Sequence, residues 1–275
     1  MKKLLIIALV FFISGSLMHS CKKDPGEPPA IPSAGTMAID FSNFEAARKG
    51  DVSISIPKGS EISNWEFAAG IAYFWKSVMY TTLAVPVTAF QLAASQDPVY
   101  IENRTWEWNY STTVLTETYN ARLTGQIAST EIVWKMYVTK GGTGGFEDFL
   151  WFEGTSELDG TSGQWILNQS PQSPASVLRI DWTKTSTNDA AVKCTYVKTG
   201  DQYADSYIEY GQKSGTFDSY YNIHLYNTSV QQFYDLNVEW SSSLHNGRVK
   251  CPVYFGNTDW YCWDSGFFNI TCPLL

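Results

Sequence analysis

Histidine is nearly absent from this chain: His19, His224 and His245 are the three in 275 residues. A hydrolytic nucleophile needs a base beside it, most often His, and structural zinc draws on His and closely spaced Cys. His224 stands in Tyr221-Asn222-Ile223-His224-Leu225-Tyr226, on the parity opposite the apolar residues, which predicts a solvent-facing ring. His245 belongs to a His-Asn-Gly turn. No Gly-x-Ser-x-Gly occurs and no cysteines stand in a Cys-x-x-Cys spacing. Neither a catalytic triad, a metal site nor a cofactor is expected. The one glycine-rich run, Gly141-Gly142-Thr143-Gly144-Gly145, has no Lys-Ser/Thr after it. It is expected to be a permissive hairpin turn, not a phosphate cradle.

Basic residues are also scarce. Lys plus Arg is 19 against 27 Asp plus Glu, a net charge of −8. Removal of residues 1–20 takes Lys2 and Lys3 with it and leaves a net of −10. Nucleic acid is excluded as a partner on that balance, because it binds basic surface. Aromatics, by contrast, are plentiful, at 15% with 11 Trp and 16 Tyr. Such usage favours sheet, and the length suits one large domain able to bury its own core.

The chain opens with Lys2-Lys3, then an apolar run from Leu4 to Ile13, too short to span a bilayer. Leu17-Met18-His19-Ser20-Cys21 resembles the lipobox of bacterial lipoproteins. The resemblance implies cleavage before Cys21, a thioether-linked diacylglycerol and an acylated amine, so that the membrane is a partner through a lipid anchor. Each buried CH₂ of such chains contributes roughly 0.8 kcal/mol. Cys21-Lys22-Lys23-Asp24, and the tail from Tyr254 through Cys262-Trp263-Asp264 to Cys272, resemble uncharacterised lipoproteins of Bacteroidetes. That likeness implies an outer-membrane location, on the periplasmic face or the cell surface, and carries no activity. Residues 1–20 are then a signal peptide, and 21–36, with Pro25, Pro28, Pro29 and Pro32, an extended linker. Residues 37–275 form a single β-rich domain containing a helical segment over 64–94.

Met37–Phe41 and Val52–Ile56 alternate and predict short strands. Ser63-Asn64-Trp65-Glu66 has the spacing of a capping box and predicts a helix over about 64–80, with Pro86 opening a second to Ala94. Glu66 and Lys76 are the charges between Trp65 and Ala94. A helix apolar nearly all round is buried or in lipid; Lys76 and Pro86 favour burial against a sheet.

From Tyr100 to Phe255, short runs alternate with a period of two. Trp106-Trp108-Tyr110, Ile132-Trp134-Met136-Val138, and Val192-Cys194-Tyr196 are examples. Asp159-Gly160 and His245-Asn246-Gly247 supply turns between runs. The fold expected is an antiparallel meander of about ten strands, curled into a barrel or half-barrel, with one or two N-terminal helices packed on it. A two-sheet sandwich is the rival. Cys194, Cys251, Cys262 and Cys272 predict two disulfides with three possible pairings. Cys262–Cys272 is the local choice, leaving Cys194–Cys251.

Four kinds of function remain. The first is a non-catalytic binder whose curved sheet and helical lid hold an apolar or glycan ligand. The second is a glycan platform made of Trp260, Tyr261 and Trp263. The third is a carbohydrate hydrolase, for which Asp181, Glu209, Asp235 and Glu239 lie on neighbouring strands and two carboxylates about 5–10 Å apart are needed. Glu117 shares the parity of Tyr119 and Leu123, which places a carboxylate on an apolar face. A structural envelope role has no discriminating feature.

Overall fold

The computed structural model describes residues 26–47, 62–184 and 190–273. Cys21, the leader and the Val52–Ile56 strand lie outside them. Fourteen strands follow one another in one sheet. They are β1 (Val99–Tyr100), β2 (Thr105–Val114), β3 (Glu117–Ile127), β4 (Glu131–Lys140), β5 (Phe146–Glu157), β6 (Ser162–Ser170) and β7 (Ser173–Lys184). β8 (Ala190–Tyr196), β9 (Tyr207–Gln212), β10 (Ser219–Asn227), β11 (Gln232–Trp240), β12 (Gly247–Lys250), β13 (Tyr261–Trp263) and β14 (Asn269–Ile270) complete it. Their order in the sheet is their order in the chain, so every link is an antiparallel hairpin. The sheet is open: β1 pairs with β2 alone and β14 with β13 alone, so it is not a closed barrel. Nor is it a two-sheet sandwich. The alternating runs between Trp106 and Trp240 became strands, and β1, β13 and β14 are too short for a period of two to show. The alternation expected to run to Phe255 ends as strand at Lys250, because Pro252 opens a single helical turn, α2 (Pro252–Phe255), closed by Gly256 at φ +78°.

One face of this sheet is apolar, and its large rings are accommodated by glycine. Trp106, Gly125, Trp134, Gly154 and Trp165 stand directly opposite one another on successive strands from β2 to β6. Trp240, Gly247 and Trp263 repeat the pattern on β11 to β13. A Cβ on Gly154 would lie 2.5 Å from the Trp165 ring, and one on Gly125 2.6 Å from that of Trp134. The Trp134 and Trp165 indoles therefore lie across the glycine of a neighbouring strand, a large–small alternation that fills the face without overpacking.

Two passes of chain cover that face. The first is N-terminal. Pro29 and Pro32 are buried, so the expected linker is packed rather than solvated from Pro29 onward. Pro29 sits over Gly125, Thr36 Oγ1 accepts from Trp165 Nε1 at 3.1 Å, and the Asp40 carbonyl accepts from Tyr221 Oη. Phe44 then packs edge-on against Trp240, 5.2 Å between centroids. The segment thus crosses from β3 to β11. Met37, Ile39 and Phe41 are buried and Ala38 and Asp40 exposed, yet these residues form no strand. Two 3₁₀ turns, Ala34–Met37 and Ser42–Ala47, flank an unpaired extended stretch. The alternation there records one-sided burial, not pairing.

The second pass is α1 (Asn64–Ala93), which returns the other way. The capping box forms: Glu66 N donates to Ser63 Oγ at 3.2 Å, and Ser63 N to Glu66 Oε2 at 2.7 Å. At this end Asn64 Nδ2 donates to the Cys262 carbonyl and Asn64 N to Asn269 Oδ1. At the other end Tyr110 Oη on β2 donates to the Ala89 carbonyl. Two helices were expected, split before Pro86, but one continuous helix runs through it. Pro86 is buried within a helix whose inner side, Trp75, Met79, Leu83 and Phe90, is packed throughout; tertiary burial outweighs the one backbone bond a proline removes. No helix among the described residues is long and apolar enough to cross a membrane.

Candidate functional site

α1 is not covered equally on all sides. Along its middle, Tyr73, Phe74, Ser77, Val78, Thr81 and Thr82 form one wall of a cleft of about 760 Å³. The opposite wall comes from one end of the sheet: the start of β3, the end of β4, the start of β5, the end of β6, the start of β7 and the end of β8. Tyr119, Lys140, Phe146, Trp151, Val177 and Tyr196 line it, with Gln169 to Gln172 at the β6–β7 turn.

Two of these side chains are there because the ladder slips. Met136 on β4 faces Phe152 on β5, but Tyr137 faces Leu150, so Trp151 is the extra residue of a bulge. Leu167 on β6 faces Leu178 on β7, but Asn168 faces Ser176, so Val177 is the extra residue of a second. A bulge breaks strict alternation and re-aims one side chain. Both bulges lie at the same end of the sheet, and both extra residues line the cleft. Sequence reading missed them. The signal was present in Trp151-Phe152 and Val177-Leu178, adjacent apolar pairs where alternation allows one.

Trp151 is fixed by edge-on contacts with Phe146, Phe149 and Tyr119, at 5.8, 5.5 and 6.5 Å between centroids. Its indole N–H is buried without a hydrogen-bond partner among the described residues. The Thr81 and Thr82 hydroxyls donate back to the Ser77 and Val78 carbonyls at 2.8 Å, so lone pairs are what they offer outward. Tyr196 Oη donates to Asp201 at 3.1 Å. Burial, then that bond to Asp201, pushes its phenol up to about 12. The cation of the cleft, Lys140, is paired with Glu117 at 3.2 Å. Glu117 is 53% exposed, which corrects its expected place on the apolar face: it begins β3 beside the turn, where parity no longer decides burial.

The other expected sites fare differently. Cys262 and Cys272 are disulfide-bonded. Cys194 and Cys251 are not: both are free and buried, Cys194 inside β8 and Cys251 between β12 and α2. Burial pushes both thiols up, Cys251 to about 11. Trp260, Tyr261 and Trp263 do not form a platform. Trp263 is 0% exposed and donates its N–H to the His245 carbonyl. Trp260 carries the Arg248 and Lys250 cations on its ring, at 4.2 and 4.8 Å. Tyr261 stacks on Phe255 at 3.8 Å.

The four carboxylates do not converge. Asp181, Lys193 and Glu209 stand in one row on β7, β8 and β9, beside a shallow depression on the outer face. Asp181 accepts from Gln164 and Arg179, and Glu209 from Asn222. Asp235 pairs with His224 at 2.6 Å, on the outer face as expected. Glu239 is gripped by Lys213 and Arg248. His245 lies in its turn, Nδ1 against Asn43 Oδ1. Compared with known protein families, curated proteins and solved structures, the chain matches none of them.

Proposed function

We propose that this is a lipid-anchored envelope protein, tethered to the outer membrane through Cys21, whose open sheet acts as a half-barrel holding an apolar or glycan ligand beside α1. The observation that carries the reading is the cleft itself: about 760 Å³, within the range of ligand pockets, and built by two bulges that turn Trp151 and Val177 into it. A binding role is favoured over hydrolysis because Asp181, Glu209, Asp235 and Glu239 each have cationic or amide partners and lie off the cleft.

Two measurements test the two halves. Mass spectrometry of the mature N-terminal peptide should find Cys21 acylated, and Cys21→Ser should leave the protein unprocessed; an unmodified cysteine would remove the anchor. For the cleft, protein isolated from its own cell envelope is analysed by native mass spectrometry beside Ser77→Trp, which places an indole in the opening. Wild type should carry a small-molecule adduct that the variant lacks. Identical spectra would sink the binding role.

A further inference from the structure

We infer that the cleft takes a neutral oligosaccharide, an inference that rests on the cleft being a ligand site at all. Charge is the first argument. Lys140 is the charged side chain among those lining the cleft, and Glu117, just outside the lining, is already its counter-ion at 3.2 Å, so little unpaired charge is left to select an ionic ligand.

Hydrogen-bonding capacity is the second. Among the described residues, the side chains of Gln169 and Gln172 and the Ser77 hydroxyl have no partner, and all three line the cleft. An acyl chain lying there would strip water from two amides and a hydroxyl and return nothing. A sugar edge supplies both donors and acceptors. Aromatic rings stand on both walls, Tyr73 and Phe74 on the helix and Phe146 and Trp151 on the sheet. Sugar rings have an apolar C–H face that suits the electron-rich face of such a ring.

Position is the third. Pro29 packs over Gly125, six residues along β3 from Tyr119 in the cleft, a separation of about 20 Å. The N-terminal segment therefore joins the sheet at the end opposite the opening. A tether there turns the cleft toward the aqueous side, where soluble or wall-bound glycan is met, and away from bilayer lipid.

The test uses the full chain in a detergent without a sugar headgroup. Saturation-transfer NMR is run with cellotriose, maltotriose, mannotriose and triacetylchitotriose. A diazirine-bearing palmitate is the apolar competitor, its cross-links mapped by peptide mass spectrometry. At least one trisaccharide should bind with Kd of about 1 mM or tighter. Gln169→Ala and Gln172→Ala, both near a solvent-facing turn, should each weaken it about tenfold. Trp151→Ala should abolish it, but that variant alone is not relied on, since its fold is also at stake. Palmitate cross-links confined to the cleft and lost in Ser77→Trp, with no trisaccharide bound, would overturn the glycan assignment and leave the cleft as a lipid site. No trisaccharide signal and no cleft cross-link would overturn both.

Discussion

At one end of the sheet's inner face the ladder from β2 to β6 runs without a break, and the rings of Trp134 and Trp165 lie over Gly125 and Gly154. At the other end the β4–β5 and β6–β7 pairs each slip register twice, and two apolar residues, Trp151 and Val177, swing out to line an opening. The residue types are alike at both ends: tryptophan, phenylalanine, valine, hydroxyls. What differs is register. Where pairing is one-to-one, large rings find small partners and the N-terminal segment closes the surface. Where one strand carries an extra residue, a side chain has no opposite number, the surface cannot close, and space is left beside α1. On this account the cleft is a consequence of backbone registry, with side-chain chemistry deciding what the space accepts.

The sharpest way to break that comparison is to remove one tryptophan from each end. Trp165 is 0% exposed, stacked beside Trp182 and hydrogen-bonded to Thr36. Trp165→Ala should cost about 3–5 kcal/mol, read as a lowered urea midpoint. Trp151 is half-buried at the edge of an existing opening, so Trp151→Ala should cost about 1–2 kcal/mol. Equal losses would mean the bulged end is as well packed as the regular one. A second probe acts on the anchoring of α1. Cys262 and Cys272 close a short ring that contains Phe267, stacked on Trp65 at 4.2 Å, and Asn269, bonded to Asn64 N. Replacing both cysteines with serine should cost about 2–3 kcal/mol. Amide exchange should speed up at 64–70 and stay slow at 86–93, because the far end of α1 is held by β2 independently. Uniform acceleration along α1 would show the helix to be one cooperative clamp. Smaller again, Ser63→Ala removes one side of the capping box and should cost about 1 kcal/mol, with the same localised exchange.

How much of this was legible in the sequence follows from what a period of two encodes. It encodes half-burial, and it marked the stretches that became the long strands, while turn and cap residues marked the turns at Gly141–Gly145 and Asp159-Gly160 and the start of α1. It does not encode pairing, which is why Met37–Phe41 alternates without belonging to the sheet. Nor does it survive a bulge: the adjacent apolar pairs Trp151-Phe152 and Val177-Leu178 mark where alternation fails, but not that Trp151 and Val177 line a cleft. Trp260, Tyr261 and Trp263 are the same kind of residue on paper. Whether a tryptophan is core or surface was decided by whether Gly247 stood opposite it, and that depends on the register of β12 with β13. The local disulfide was readable from proximity in sequence. Cys194 and Cys251 are non-local, and their separation depends on how many strands lie between them.

The smallest expected effect lies on neither end, and so measures how far the difference between them is a matter of burial. Glu239 on the outer face is gripped by Arg248 and Lys213. Partial burial works to raise its pKa, but the hydrogen bonds and charges of Lys213 and Arg248 outweigh it and hold the carboxyl below the usual range. A carboxylate with a lowered folded pKa stabilises the protein at pH values above the unfolded pKa of about 4, and loses that contribution as the pH falls through the lowered value. Glu239 is 15% exposed and Lys213 38%, so these are partly covered surface pairs, which contribute about 1 kcal/mol. Urea midpoints measured from pH 7 to pH 3 should therefore fall less steeply for Glu239→Gln than for wild type, and the two curves should converge in acid. Trp165→Ala and Trp151→Ala should each be displaced from wild type by an amount that does not vary with pH, since neither indole titrates. If the gap between the two tryptophan variants closes in acid, the contrast between the two ends owes something to charge, and packing register alone does not account for it.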